Sequence, residues 1–532
     1  MSRRGESVLA ALKRVPSGPA LLAAIGVWLG LLAGLRPLVL PDEGRYAGIA
    51  WDMFRSGTVA VPLINGMPYF HKPPLYYWIT EIAYGLFGLN EWAARLPSWM
   101  GAMAAILGVY LFVRRYRNVE TARIAVVVMA TMPFFFGGSQ FANMDMLVAG
   151  TMAAATLAGA AAVLEHQAGR SYARAMLAAG VLAALAVLSK GLIGAVLPVL
   201  TLLAWLAVSR QWHSFKVLVW PPAIAIFLLV GAPWFVLMQL RYPGFFHYFF
   251  IYQQFDRFSE TGFNNVQPFW FYLPVVVGLC LPWALWGGAI LRREFWACPP
   301  AARSLRLLMA VWIVVMLGFF SIPSSKLIGY VVGVVPPLAV LLAEVLMRSL
   351  AAQGALPRRA LNVSLGAGVA VCLAAMALAG FYTKGSATVA LSHMQQRMAP
   401  ADTLVSLKEY PFDLAFYAHA AKPMWVVDDW TRPDVASHDT WRKELFDAAQ
   451  FAPAAGASVL VSPRVLQQDL CMAPDGIFWF WGTPSDPQRY PVLAYASLIE
   501  SRGERAVWRL DVDEAFKAGR CGGMPTGGLA KR

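Results

Sequence analysis

Pro41-Asp-Glu-Gly-Arg-Tyr46 and Asn65-Gly-Met-Pro-Tyr-Phe-His-Lys-Pro-Pro74 lie in one polar loop, Leu40 to Arg95, between two apolar runs. Those runs, 19–40 and 92–112, are each long enough to cross about 30 Å of hydrocarbon. Charges gathered at a bilayer boundary are costly unless they pair or bind something. The loop therefore reads as half of an active site, placed on a membrane protein.

Composition points the same way. The chain has 532 residues, 58% of them hydrophobic and 14% charged. That balance excludes an ordinary soluble globular protein and predicts an α-helical polytopic membrane protein. About eleven apolar runs recur. Beyond the two above they centre on 121–137, 143–164, 172–189, 191–208, 216–238, 268–290, 304–321, 327–347 and 361–382. Short or broken spans extend the expected count to about 11–13 transmembrane helices.

The net charge of +14 is distributed as a topology signal. Arg3, Arg4, Lys13 and Arg14 precede the first run, and Arg114, Arg115 and Arg117 follow the second. Arg170 and Arg174, Arg210 and Lys216, Arg292, Arg293, Arg303 and Arg306, and Arg348, Arg358 and Arg359 occupy further alternate loops. Alternation of this kind is what the positive-inside rule requires, and it excludes a nucleic-acid footprint. It predicts a retained first span with a cytoplasmic N-terminus, and an outer location for the 41–91 loop, the 239–267 loop and everything after residue 383.

Two domains follow: 1–382, the membrane domain with its outer loops, and 383–532, a small mixed α/β domain. In the second, Thr403–Leu407, Met424–Val427, Ser458–Ser462, Val492–Leu498 and Ala506–Leu510 have strand character between Gly, Pro and Asp punctuation. Asp413–His419 suits a short helix. Cys471 and Cys521 share this outer domain, where a disulfide is chemically allowed. No internal repeat is visible.

Within the first loop, a helix capped by Asp42 or Glu43 should run to a stop at Gly57, Asn65-Gly66 should turn, and a second helix should start at Pro73-Pro74 against the bilayer boundary. His71 and Lys72 precede that helix start, where free N–H groups and the helix dipole favour an anion. Asp145 enters a membrane helix from outside, and a carboxylate there is functional by default. Asp42, Glu43 and Asp145 are thus candidate acid/base or acceptor-orienting groups. Arg257, in an aromatic loop, could clamp a phosphate; Lys326, with Tyr330 one turn on, repeats the lysine-at-helix-start pattern. Lys190 reads equally as a snorkelling side chain. His71 and His247 are candidate ligands for a divalent metal, zinc or magnesium, although two histidines make no ligand-spacing signature.

These stretches, with Glu91-Trp-Ala-Ala-Arg-Leu-Pro-Ser98, Asn143-Met-Asp-Met146, Ser189-Lys-Gly191, Pro243-Gly-Phe-Phe-His-Tyr-Phe-Phe250, Ser325-Lys-Leu327 and Leu407-Lys-Glu-Tyr410, resemble the aminoarabinose transferase branch of the GT-C glycosyltransferases. The resemblance covers nearly the whole chain. It implies inverting transfer of a sugar, 4-amino-4-deoxy-L-arabinose in that branch, from a polyprenyl-phosphate donor to a lipid A phosphate or related envelope glycan. The implied place is the periplasmic face of a bacterial inner membrane, with membrane lipid as surroundings.

By the same carry-over Asp42 and Asp145 orient or activate acceptor and sugar. Lys72, with Arg257, Lys326, Tyr330 and Arg45, holds the donor phosphate. His247 matches a position near a metal, while His71 replaces the glutamate usual there. Two alternatives stand beside this reading. Protein O-mannosylation shares the fold and the early carboxylate but needs Asp42 as a true base. A lipid-linked sugar transporter would place ionisable groups near the midplane in paired repeats, which this chain does not show.

Overall fold

The computed structural model describes residues 18–256, 265–351, 355–381, 386–387 and 392–521. The chain divides into two compact units, Met1–Arg36 with Arg95–Phe381, and Pro37–Ala94 with Tyr382–Arg532. The first is a helical membrane bundle and the second carries a mixed α/β domain.

In the first unit every expected apolar run holds a helix, but not every run holds a single long one. Seven helices are long and apolar enough to cross a membrane, from Glu91–Tyr116 to Leu356–Phe381. Two more spans qualify only as bent pairs: Val119–Ala130 with Pro133–Ser139, bent by 69°, and Tyr272–Leu279 with Trp283–Ala289, bent by 115°. Pro133 and Pro282 stand at these breaks, where a missing N–H ends the helical ladder. The runs at 19–40 and 191–208 contain helices of only 13 and 16 residues, Gly18–Gly30 and Ile193–Val208. By length and composition seven to nine candidate spans, with these two shorter apolar helices beside them, stand among the described residues, where 11–13 were expected.

The bundle is built around its most buried members. The helix Met144–Gln167 and the stretch Ile328–Ala351 bury most of their residues, whereas Leu356–Phe381 buries few and presents Leu378 and Phe381 outward. Alanine-rich Met144–Gln167 lets its neighbours approach closely, the usual basis of packing where no water drives association. Several arginines of the charge pattern are held by two glutamates. Arg115 and Arg170 pair with Glu165 (2.7 and 2.5 Å), and Arg117 and Arg306 pair with Glu344.

The second unit joins the first polar loop to the C-terminal domain. Helix α1 (Asp42–Ser56) stops at Gly57, which takes the left-handed conformation with φ 65°, as the sequence predicts. Neither Asp42 nor Glu43 caps it as expected: Pro41 is the N-cap with no side-chain cap bond, and the fully buried Glu43 carboxylate accepts the Val39 N–H (2.9 Å). Strands β1 (Leu63–Ile64) and β2 (Met67–Pro68) form a hairpin whose turn is Asn65 (φ 51°) and Gly66 (φ 79°). Positive φ at both positions is what an Asn-Gly turn supplies. Helix α2 (Leu75–Phe87) begins after Pro74 and leaves Ile82, Leu86 and Phe87 exposed.

The hydrogen bonds show why this loop belongs with the later residues. Trp51 Nε1 and Arg55 both donate to the Ala420 carbonyl (3.1 and 2.9 Å), and the Asn65 amide exchanges two bonds with Met424.

Beyond helix α3 (Leu414–Tyr417) the domain is a six-stranded sheet. Its strands are β3 (Thr403–Leu407), β4 (Trp425–Val427), β5 (Leu460–Val461), β6 (Gly476–Gly482), β7 (Ser497–Arg502) and β8 (Arg505–Val512), ordered β5-β4-β3-β6-β8-β7. The first four in that order pair in parallel and the last three antiparallel. Helix α4 (Trp441–Phe451) lies between β4 and β5 in sequence. The expected strand Val492–Leu498 is displaced: Pro491–Tyr495 is a 3₁₀ turn and the strand starts at Ser497. Cys471 and Cys521 form a disulfide.

Asp413, just before α3, is fully buried. Its Oδ2 accepts from Ser386 Oγ (2.9 Å) and the Ala387 N–H (3.0 Å), while Oδ1 has no partner among the described residues. Burial, with Glu409 adding repulsion, pushes its pKa up to about 7 from an ordinary 3.8. An acid raised in the folded state binds more protons there than in the unfolded chain. Its contribution is therefore fully present at low pH, is lost as pH rises from about 4 to about 7, and is flat above. The difference is on the order of 4 kcal/mol. Asp413→Asn is expected to raise thermal stability most at pH 8, with a gain that shrinks toward pH 4. Melting curves of the two proteins across that range check it, and a pH-independent difference would contradict it.

Candidate functional site

The sequence-predicted residues fall into two polar clusters, one in each unit. In the second unit α1 presents Asp42 and Arg45 one turn apart, so their side chains meet as an i,i+3 ion pair (3.0 Å). Arg45 also bonds Glu444 of α4 (3.1 Å) and lies over the Phe412 ring, 4.7 Å from its centroid. Burial opposes the Arg45 charge, but Glu444 and Asp42 outweigh it and raise its pKa above the ordinary value.

Tyr69, one residue beyond β2, donates its hydroxyl to Glu444 (3.3 Å) and stacks on His71 at 4.5 Å between centroids. Tyr46 meets Tyr76 and Tyr77 at 5.5 and 6.3 Å. Burial raises the Tyr69 and Tyr77 hydroxyls well above the usual range, so both remain neutral O–H groups. The Tyr77 hydroxyl is buried with no hydrogen-bond partner among the described residues. Unmet polar capacity of this kind is a reason to expect a ligand or water at the wall.

Lys72 is half-buried three residues before α2, behind the buried Pro73 and Pro74. Asp42 keeps 44% of its side chain exposed. A fixed cation at a helix start and a solvent-reaching carboxylate can hold, respectively, an anionic group and a group to be oriented or deprotonated.

In the first unit Asn143 caps the helix Met144–Gln167, its side chain accepting the Asp145 N–H (2.8 Å). This points the Asp145 carboxylate at Lys190, the last residue of Ala173–Lys190, and the two form an ion pair. The Lys190 ammonium also lies over the Tyr330 ring, 4.2 Å from its centroid. Lys190 thus does not snorkel to solvent: its side chain is 12% exposed and Asp145's is 14%. Tyr330 and Gly329 belong to the 3₁₀ turn Ile328–Val334.

Gly329 is a close approach, since a Cβ there would overlap the Asp145 carboxylate. Gly329→Ala is expected to push that carboxylate off Lys190 and lower the rate of any chemistry depending on the pair roughly 10–100-fold. Thermal stability should change far less, and equal activity in the two proteins would contradict this.

Lys326 is buried, 3% exposed, with its ammonium donating to the Gln267 and Pro323 carbonyls. His247 is exposed at the start of a π-helical segment, His247–Asp256. Arg257 lies outside the described residues. Among the described residues no group of three or more His, Cys, Asp or Glu side chains gathers to hold a metal ion. No step is therefore derived through a metal.

Sequence reasoning did not single out Glu444, Tyr69, Tyr46 or Tyr77. Glu444 sits in the first turn of an amphipathic helix, where glutamate is common for the helix dipole alone. Tyr46 and Tyr69 stand in the quoted stretches, but nothing in the sequence gives these tyrosines a role of their own.

Comparison with known proteins adds to this geometry. Residues 71–237 match the family described as dolichyl-phosphate-mannose-protein mannosyltransferase. The undecaprenyl phosphate-alpha-4-amino-4-deoxy-L-arabinose arabinosyl transferase of Erwinia tasmaniensis is 32% identical over 316 residues. That match covers 58% of this chain and 56% of the relative, so the chain spans little more than half the relative's length. The protein of the same description from Pseudomonas paraeruginosa is 30% identical over 366 residues, 67% of this chain and 64% of the relative. The crystal structure of ArnT from Cupriavidus metallidurans bound to undecaprenyl phosphate superposes with a TM-score of 0.73 at 24% identity, covering 96% of this chain and 98% of that one. That likeness shows the fold.

Proposed function

We propose, for a chain that belongs to the aminoarabinose transferase-like GT-C glycosyltransferases, inverting transfer of a sugar from an undecaprenyl-phosphate carrier to a lipid A phosphate. The sugar would be 4-amino-4-deoxy-L-arabinose and the place the periplasmic face of the inner membrane. An acceptor phosphate oxygen attacks the anomeric carbon from the face opposite the carrier. The bond from that carbon to the carrier phosphate oxygen breaks, the polyprenyl phosphate leaves with the electron pair, and configuration inverts.

The observation that carries the reading is that the family-matched stretch 71–237 contains Lys72, Asp145 and Lys190. Two of those three form an ion pair where membrane surroundings make charge costly. Lys72 supplies positive charge for the leaving phosphate, with Arg257 in the same role. Asp145, fixed by Lys190, orients the sugar. Tyr330 holds Lys190 in that pairing through its ring. Asp42, steadied by Arg45, faces the acceptor. A phosphate acceptor is already anionic and needs no strong base, so Asp42 acts through its field.

The family description favours one further reading, transfer to a protein hydroxyl. A hydroxyl acceptor needs Asp42 as a general base, which would give a rate that climbs with pH.

The test is mass spectrometry of lipid A from a bacterial host lacking the gene, complemented with wild type or Asp42→Ala. A sugar-sized mass on a lipid A phosphate, restored only by wild type, is expected. An unchanged lipid A profile on deletion would overturn the acceptor and move the search to envelope glycoproteins.

A further inference from the structure

We infer that Lys326 is a positioning residue: its ammonium clamps two chain segments together and thereby sets the place of Gly329 and Tyr330 beside the Asp145–Lys190 pair. The inference rests on the reading that this pair serves sugar transfer.

Residues 265–267 and 324–326 run antiparallel. The Lys326 N–H donates to the Asn265 carbonyl and the Gln267 N–H to the Ser324 carbonyl, both at 3.0 Å, with Val266 facing Ser325 between them. Two hydrogen bonds are little to hold a pairing this short. The Lys326 side chain adds to it, donating across the pair to the Gln267 carbonyl (3.0 Å) and back to the Pro323 carbonyl. Charge-assisted bonds of this kind are roughly twice as strong as neutral ones. At 3% exposure the ammonium has little water to fall back on, so the carbonyls are what satisfy it.

The clamp stands at the entrance to a working element. One residue on, the Leu327 carbonyl accepts from the Tyr272 hydroxyl (3.2 Å). The 3₁₀ turn Ile328–Val334 then begins, and it carries Gly329 against the Asp145 carboxylate and Tyr330 under the Lys190 ammonium. Displacing the turn would open the first contact and misalign the second. A phosphate ligand, by contrast, would need its ammonium accessible, whereas this one is buried and engaged by two carbonyls.

The test uses the full-length protein in membranes or detergent, with an undecaprenyl-phosphate sugar as donor. Lys326→Met is expected to lower kcat roughly 10–100-fold. Donor KM should stay within about threefold, because no ground-state contact to the donor is lost. Lys326→Arg, which keeps charge and donors, should recover part of the rate.

Val266 and Ser325 form a non-hydrogen-bonded antiparallel pair, whose Cα atoms stand about 4.5 Å apart, within disulfide reach. Val266→Cys with Ser325→Cys in the Lys326→Met background should therefore regain activity on oxidation and lose it again on reduction. A raised donor KM with kcat unchanged, or no rescue by the cross-link, would overturn the clamp and return Lys326 to the phosphate.

A second readout does not depend on activity. Disulfide formation between the introduced cysteines should be several-fold slower with methionine than with lysine at 326, and arginine should lie between. Equal rates overturn the clamp even in an active enzyme. A wild type that transfers no sugar, with the rates still differing, removes the functional reading and leaves the clamp.

Discussion

Asp145→Asn is expected to lower sugar transfer by roughly 10²–10³-fold, the loss typical when a preorganised electrostatic partner is removed. The substitution keeps the size of the side chain, and the Asn143 cap still accepts the backbone N–H of residue 145 (2.8 Å), although its amide also donates to the carboxylate (3.4 Å). What disappears is the carboxylate that fixes Lys190. That lysine, with a side chain 12% exposed, would lose its paired carboxylate while the Tyr330 ring stays beside it. A partly buried pair broken on one side is more damaging than one removed altogether. Asp145→Asn and Lys190→Met should each reduce stability, and the double variant should cost less than the sum. For activity the double variant should be no worse than the poorer single one, because both changes remove the same unit. Initial rates and melting temperatures of the four proteins decide it. An Asp145→Asn enzyme within about threefold of wild type would remove this pair from the chemistry.

Asp42→Asn is expected to cost about 10²–10³ in rate and almost nothing in stability. The two magnitudes separate cleanly. The Asp42 side chain is 44% exposed, and a pair of that exposure contributes about 0–1 kcal/mol to folding. Arg45 remains held by Glu444 at 3.1 Å and by the Phe412 ring when the carboxylate is gone. A large loss of activity in a protein that melts normally therefore reports on chemistry and not on unfolding. Rate and melting temperature measured on one preparation check it. A normal rate would show that the Asp42–Arg45 pair is only a helix-surface contact.

Much of the second unit's local structure could be read directly. Gly57 as a left-handed stop, Asn65-Gly66 as a turn and Pro73-Pro74 as a helix entry are all set by short-range sterics, which sequence carries well. The membrane helices were located by their apolar runs, but whether a run is one straight span is decided by prolines such as Pro133 and Pro282 together with packing. The strand Gly476–Gly482 was not anticipated. It is buried along most of its length, so it shows a continuous aromatic run instead of the alternation that marks a half-exposed strand.

The candidate site was legible where charge stood out against apolar surroundings, as at Asp42, Lys72 and Asp145. It was not legible where the partner comes from far along the chain. Glu444 reaches Arg45 across about 400 residues, a separation that no helix or strand periodicity spans. Lys190 looked as much like an interfacial lysine as a partner, because only the tertiary fold brings Asp145 to it.

The central claim is that this chain moves a sugar from a polyprenyl phosphate to a lipid A phosphate with inversion. The most direct measurement combines the purified full-length protein with undecaprenyl-phosphate 4-amino-4-deoxy-L-arabinose and lipid A in one detergent mixture, with product masses and anomeric configuration read by mass spectrometry and NMR. The account predicts a glycosylated lipid A phosphate of inverted configuration and stoichiometric release of undecaprenyl phosphate, both formed roughly 10²–10³-fold more slowly with Asp145→Asn. Lipid A left unmodified beside intact donor, under conditions where the protein is folded, would contradict it.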